Sequence, residues 1–299
     1  MYYKISFNEK KIRNVTSRSK LQYEQIGSIL GIDKEHFDEK DNWYYIDGLM
    51  QYFKQREDSR ILGELLSCEI LRMHGFIPAT YEIISLDGKI GLISQNIHKE
   101  GFRYESVATL HKIFPGFLSK YYSDSRKVTL KKIFEFIDNN VPNPIEIKYQ
   151  IIRKYLIDWF TNQLDYNIRN MTFEIDNNNN LNLSRIIDSE SSFCATKNGI
   201  NTDLSKIWIP AIPAEDETFR IGPYKIDEYD ANIMWLVVEY NDIVMPLLKE
   251  FTDTNYDNII RRYKESEHSD AITIEDKGLD FLKSYVEEKQ QESEKFKKI

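Results

Sequence analysis

Residues 151–175 read Ile151-Ile152-Arg153-Lys154-Tyr155-Leu156-Ile157-Asp158-Trp159-Phe160-Thr161-Asn162-Gln163-Leu164-Asp165-Tyr166-Asn167-Ile168-Arg169-Asn170-Met171-Thr172-Phe173-Glu174-Ile175. An asparagine run follows, then Leu181-Asn182-Leu183-Ser184-Arg185-Ile186-Ile187-Asp188-Ser189-Glu190-Ser191-Ser192-Phe193. Ile152, Tyr155, Leu156, Trp159, Phe160 and Leu164 recur at i, i+3, i+4 spacing, the mark of one buried helix face, and the stripe stops at Asp165. Met171 to Ile175 and Leu181 to Ile187 read as two strands paired through the turn Asn177–Asn180. Asn170 opens the first strand and Asp188 closes the second, so the hairpin sets both at one end. Asp165 feeds in from the loop before it.

That grouping has chemical content. One carboxylate free to accept a proton, beside an amide oxygen and a second carboxylate aimed at one point, suits a hydroxyl nucleophile and a hard, oxygen-seeking Mg²⁺. These are the parts of a kinase catalytic centre. An ordinary hairpin with polar ends has the same spacing, and D-x-x-x-x-N alone recurs by chance.

Working outward, Trp43 to Ile46 and Leu49 to Phe53 flank Asp47-Gly48 and predict a tight hairpin, with Lys54 directly after the second strand. Arg60 to His74 predicts a helix with Ile61, Leu65, Leu66, Ile70 and Met73 on one stripe and Gly75 as its stop. Glu64 lies near its start, slightly off the stripe. Ala79 to Ser85 and Ile90 to Ser94 predict a second hairpin around Asp87-Gly88. Strand, Lys, helix with Glu, strand, strand is the order of a kinase amino-terminal lobe, where the lysine holds phosphates and the glutamate holds the lysine. A surface lysine and a helix-dipole glutamate are the plainer alternatives. Five residues in kinase order weigh more than any one of them.

Composition bounds the rest. A chain of 299 residues with 41% hydrophobic and 13% aromatic residues is folded, and a net charge of -8 argues against nucleic-acid binding. The two cysteines, Cys68 and Cys194, offer neither a disulfide framework nor zinc spacing. The first residues lack a signal peptide's apolar core, and no run reaches membrane-spanning length, which predicts a cytoplasmic protein. Dispersed histidines exclude a zinc hydrolase, and Ser191 and Ser192 lack the glycines of a nucleophile elbow. Neither G-x-G-x-x-G nor a P-loop occurs, and His-Arg-Asp, Asp-Phe-Gly and Ala-Pro-Glu are all missing. A P-loop NTPase and a common eukaryotic protein kinase are thereby disfavoured. Thr16 to Lys20 is the best phosphate-covering loop, its small hydroxyl residues letting backbone amides approach; an exposed turn is the alternative.

Tyr2 to Phe7 predicts a strand and Gln22 to Leu30 a short helix. Ile32 to Asp41 reads as a charged surface excursion. Beyond Ile97 the chain turns helical: Ser106 to Phe114, Val128 to Asn139, a long helix from Pro142-Asn143-Pro144 to Asp165, Tyr229 to Leu248 kinked near Pro246, Asn255 to Tyr263, and Leu279 to Glu288. Residues 195–226 read as an ordered loop, and the tail from Glu287 as charged and solvated.

Glu64 to Gly75, Ile77-Pro78-Ala79-Thr80-Tyr81-Glu82 and Gly91-Leu92-Ile93-Ser94-Gln95-Asn96-Ile97 resemble the amino-terminal lobe of HipA-like kinases. These include CtkA-type bacterial proteins and share a fold related to phosphatidylinositol kinases. Leu156 to Phe173 is similar to their catalytic segment, which usually ends in an Asn-x-Asp-x-His-x-x-Asn-like run. Arg185 to Phe193 looks like their metal-binding segment. The likeness covers about residues 50–195; Gln163 replaces a frequent Asn, Asn167 a frequent His, and the usual Pro before the metal Asp is absent.

The resemblance implies an α+β, two-lobed kinase-like fold, with residues 1–97 as the small lobe and 98–299 as the helical lobe. It implies ATP and Mg²⁺ as cofactors, Lys54 on the ATP phosphates and Glu64 orienting it. Asp165 would face the acceptor hydroxyl, with Asn170 and Asp188 on the metal. Ser17 or Ser19 would cover the phosphates and could be autophosphorylated. The expected acceptor is a Ser or Thr on a protein, with a regulatory or antitoxin-like partner. A lipid or small-molecule kinase and a degenerate, partner-binding kinase stay open at this point.

Overall fold

The computed structural model describes residues 2–16, 43–95, 101–107, 109–110, 113–114, 128–163, 171–184, 192–193, 195–202 and 226–296. Ser17, Ser19, Asp165, Asn170 and Asp188 lie outside them, as do the expected helix Gln22 to Leu30 and the excursion Ile32 to Asp41.

The chain opens with three short strands, β1 (Tyr2–Tyr3), β2 (Ile5–Phe7) and β3 (Arg13–Val15). The two expected hairpins follow: β4 (Trp43–Ile46) with β5 (Leu49–Gln55), and, after helix α1 (Arg60–Met73), β6 (Tyr81–Leu86) with β7 (Lys89–Gln95). Asp47, Gly48, Asp87 and Gly88 all take positive φ, the conformation that two-residue hairpin turns require. Together these strands form a five-stranded sheet in the order β3-β6-β7-β5-β4. The helix α1 stops in a Schellman arrangement: Gly75 takes φ 74°, its N–H donates to Arg72 O at 3.1 Å, and the Phe76 N–H donates to Leu71 O at 2.9 Å.

In the second half, strand β8 (Arg103–Ser106) precedes helices α2 (Leu130–Asn140) and α3 (Pro144–Thr161), then β9 (Thr172–Ile175), β10 (Leu181–Leu183), β11 (Ala195–Thr196) and β12 (Gly199–Asn201). Helices α4 (Ile226–Glu239), α5 (Asn241–Asp253), α6 (Asp257–Glu265) and α7 (Glu267–Ala271) come next, then β13 (Ile272–Ile274) and α8 (Asp276–Phe296). The hairpin β9–β10 pairs Ile175 with Leu181 and Phe173 with Leu183, as its alternation predicts. Asp176 closes the turn by accepting from the Asn178 and Asn180 amides, and Asn179 takes φ 62°.

Several expectations need correction. Ser106 ends a strand rather than starting a helix, because β8 adds to the free edge of β9. The long helix ends at Thr161 and not at Asp165: Asn162 adopts the left-handed conformation (φ 52°), which asparagine tolerates better than most residues. The break between α4 and α5 falls at Tyr240, whose ring packs edge-on against Phe134 and Trp235, while Pro246 is accommodated inside α5. Residues beyond Glu287 continue α8 to Phe296, with Ser293 and Phe296 buried and Phe296 edge-on to Trp159. Lys289 lies over the Trp159 ring and pairs with Glu292, so its charge stays compensated while its stem packs.

The amino-terminal strands join both halves of the molecule. The strand β1 pairs with β12, β2 with β13, and β3 with β6, so fourteen residues stitch the large helical part to the small sheet. Helix α1 is shared in the same way. Ile61 and Leu65 pack with Ile83 and Leu92 of the sheet, whereas Leu62, Leu66, Ile70 and Leu71 belong to the large core around α3.

Candidate active site

Lys54 lies inside β5, one residue short of its end, rather than after it. The alternation of the strand sends Phe53 into a small core, while Ile61 and Leu65 hold α1 under the sheet. Glu64, one turn into the helix, is fully buried, and its Oε2 lies 3.5 Å from Lys54 Nζ. A carboxylate at that depth needs a cation, since isolated burial of a charge costs several kcal/mol. The lysine keeps 14% of its side chain accessible. The pairing read from a ten-residue spacing is therefore present in the fold.

Gly91 makes room for this arrangement. It faces Gln55 across the β5–β7 ladder, and a Cβ there would stand 2.4 Å from Lys54 O and 2.7 Å from the Phe53 ring. Only glycine lets β7 approach the Lys54 backbone so closely.

The described flanks of the expected catalytic segment converge. Phe193 N–H donates to Thr161 O at 2.7 Å, and Ser192 Oγ donates to Thr161 Oγ1 at 3.4 Å, both buried. Ser192 and Phe193 are thereby fastened to Thr161 at the end of α3. At the open end of the hairpin, Ser184 N–H donates to Thr172 O at 3.0 Å. Among the described residues no group of three His, Cys, Asp or Glu gathers to hold a metal ion.

Sequence reasoning passed over a second buried pair. Lys154 and Asp158 meet on one face of α3, 7% and 3% accessible. Burial pushes the Asp158 carboxyl up to about 6, with Lys154 drawing it partly back. The i, i+4 spacing of opposite charges inside an apolar stripe was the available signal. His74, at the end of α1, was likewise unused: Nδ1 lies 2.7 Å from Glu250 Oε1 and Nε2 2.6 Å from the Tyr256 hydroxyl.

No protein-family model matches the sequence, and no curated protein matches it either. Solved structures do. The chain is similar to the Helicobacter pylori proinflammatory kinase CtkA, with a TM-score of 0.61 at 14% identity, covering 85% of this chain and 91% of that one. It is also similar to HipA of the Shewanella oneidensis toxin–antitoxin system, solved with HipB and its operator DNA. There the TM-score is 0.56 at 11% identity, covering 92% of this chain and 71% of HipA. The chain has the two-lobed α+β fold of CtkA and HipA. Among the described residues no helix is long and apolar enough to cross a membrane.

Proposed function

We propose that this chain is an ATP- and Mg²⁺-dependent kinase that transfers the γ-phosphate to Ser or Thr hydroxyls of a protein, itself included. The observation that carries the reading is the Lys54–Glu64 pair: a buried glutamate on a helix holding a strand lysine, in a fold shared with a kinase. In this reading Lys54 binds the ATP phosphates and Glu64 keeps its ammonium in place. Asp165 orients the attacking hydroxyl and accepts its proton. Asn170 and Asp188, an amide oxygen and a carboxylate, are hard donors that would hold Mg²⁺. The ion supplies charge neutralisation on the phosphates when bound. Ser17 and Ser19 would cover the phosphates and be sites of self-labelling. A regulatory partner in the cytoplasm completes the proposal, by analogy with HipA, which is seen with HipB.

The test is incubation of the purified chain with γ-labelled ATP, alone and with a cell lysate, followed by mapping of the labelled residues. Label on Ser or Thr that vanishes in Asp165→Asn, with the circular dichroism unchanged, supports the reading. Full labelling by Asp165→Asn removes that residue from its role, and ATP turnover with no protein labelled moves the substrate to a lipid or metabolite.

A further inference from the structure

Helix α1, which carries Glu64, is held at both ends by residues from the other half of the molecule. At its start, Ser59 occupies the N-cap position, where a serine normally accepts from an amide of the first turn. It does not do so here. Asp58 Oδ1 takes the Arg60 amide instead, at 3.0 Å. The Ser59 hydroxyl, 1% accessible, faces β11: Oγ donates to Thr196 O at 2.6 Å and accepts from Thr196 N–H at 3.2 Å. Thr196 is on the strand that follows Asp188, and β11 continues through β12 to β1.

At the other end His74 is 1% accessible. Burial holds its proton affinity below the usual value despite Glu250. The neutral ring therefore donates from Nδ1 to Glu250 and accepts at Nε2 from the Tyr256 hydroxyl. Arg153 of α3 donates to the same Glu250 oxygen at 3.0 Å. Along the middle, Arg262 of α6 lies 3.8 Å from Glu69. The helix is thus tied to the other half of the molecule through both of its cap residues, Ser59 and His74.

We infer that Ser59 is a positioning residue for phosphoryl transfer: it locks α1, and with it the Lys54–Glu64 pair, to strand β11 of the other half of the molecule. The helix that holds Lys54 through Glu64 is thus set before nucleotide binds, with His74 bracing its far end. This rests on the kinase reading above.

A double-mutant cycle in the full-length chain separates positioning from plain structural support. ATP·Mg²⁺ affinity and labelling rate are measured for Ser59→Ala, Glu64→Gln and the double variant. Losing both hydrogen bonds in a buried site should lower kcat/KM and ATP·Mg²⁺ affinity by about tenfold in the otherwise native chain. In the Glu64→Gln background the same change should cost less than about twofold, because the pair it positions is already gone. Ser59→Thr, which keeps the hydroxyl, should restore most of the loss. Equal effects in both backgrounds, or none in either, overturn the inference. If Ser59→Ala does not fold, Tyr256→Phe removes only the hydroxyl that His74 accepts from and enters the same cycle with the same criterion. A wild type that binds ATP·Mg²⁺ without transferring phosphate defeats the kinase reading alone, and the cycle on affinity still decides for Ser59. A wild type that binds no ATP·Mg²⁺ defeats both.

Discussion

Among the described residues, the lysine–carboxylate pairs Lys54–Glu64 and Lys154–Asp158 both enclose their carboxylate, and their difference is instructive. Lys54 and Glu64 come from a strand and a helix ten residues apart and stand 3.5 Å from each other. The carboxylate is fully enclosed while the lysine keeps part of its surface. Lys154 and Asp158 sit one turn apart on a single helix, in direct contact, and both are almost fully enclosed. The first pair leaves part of its lysine accessible; the second closes on itself inside the core. Charge type and burial are nearly shared, so the accessible lysine surface is what separates the pair proposed for phosphate from the one enclosed in the core.

The sharpest way to break that comparison is to remove each lysine in turn. Lys154→Met strands Asp158 in the core and should cost about 3–5 kcal/mol of unfolding free energy in urea. Lys154→Met with Asp158→Leu should recover most of it, since a well-packed apolar pair replaces the ions. Lys54→Met should instead lower the labelling rate by about 10²–10³. Its fold should survive, as judged by circular dichroism, because Glu64, left buried without its cation, takes up a proton. Equal stability losses with no change in labelling would erase the distinction between the pairs.

Gly91→Ala sharpens the same comparison. Its Cβ would collide with Lys54 O, so a shift of β7 costing about 1–3 kcal/mol is expected, together with weaker ATP binding measured by calorimetry. The smallest effect concerns pH. Asp158 titrates in the fold near 6, above its ordinary 3.8, so the native state holds more protons than the unfolded chain between those values. Stability from this group is therefore fully present below that window and declines as pH rises through it. Urea midpoints measured across the window should show that slope, and Asp158→Asn should flatten it. A Lys54→Met variant should leave the slope in place.

Legibility followed the range of the forces involved. Asp47-Gly48 and Asp87-Gly88 announced their hairpins because positive φ is a property of two adjacent residues. The stripe from Ile61 to Ile70 and the stop at Gly75 placed α1 to within a residue, and the Lys54–Glu64 meeting followed from the order of strand and helix. The strand Arg103–Ser106 was missed because only the free edge of β9, nearly seventy residues on, makes it a strand. The tail beyond Glu287 looked solvated because its charges hide Ser293 and Phe296 on a face that exists only against Trp159. Ser59 was invisible for a related reason: locally it is an N-cap, and its actual partner is 137 residues away.

Local pattern alone determined the hairpins, the main helices and the order of candidate groups, because backbone preferences and apolar periodicity act over a few residues; the two-lobed α+β class came from the family resemblance those residues carry. Tertiary structure alone decided that Glu64 is enclosed while Lys54 stays reachable, that α1 is fastened at both ends, and that the first strands bind the two halves together. Burial and long-range hydrogen bonds depend on which distant surfaces meet, and no window of neighbouring residues contains that information.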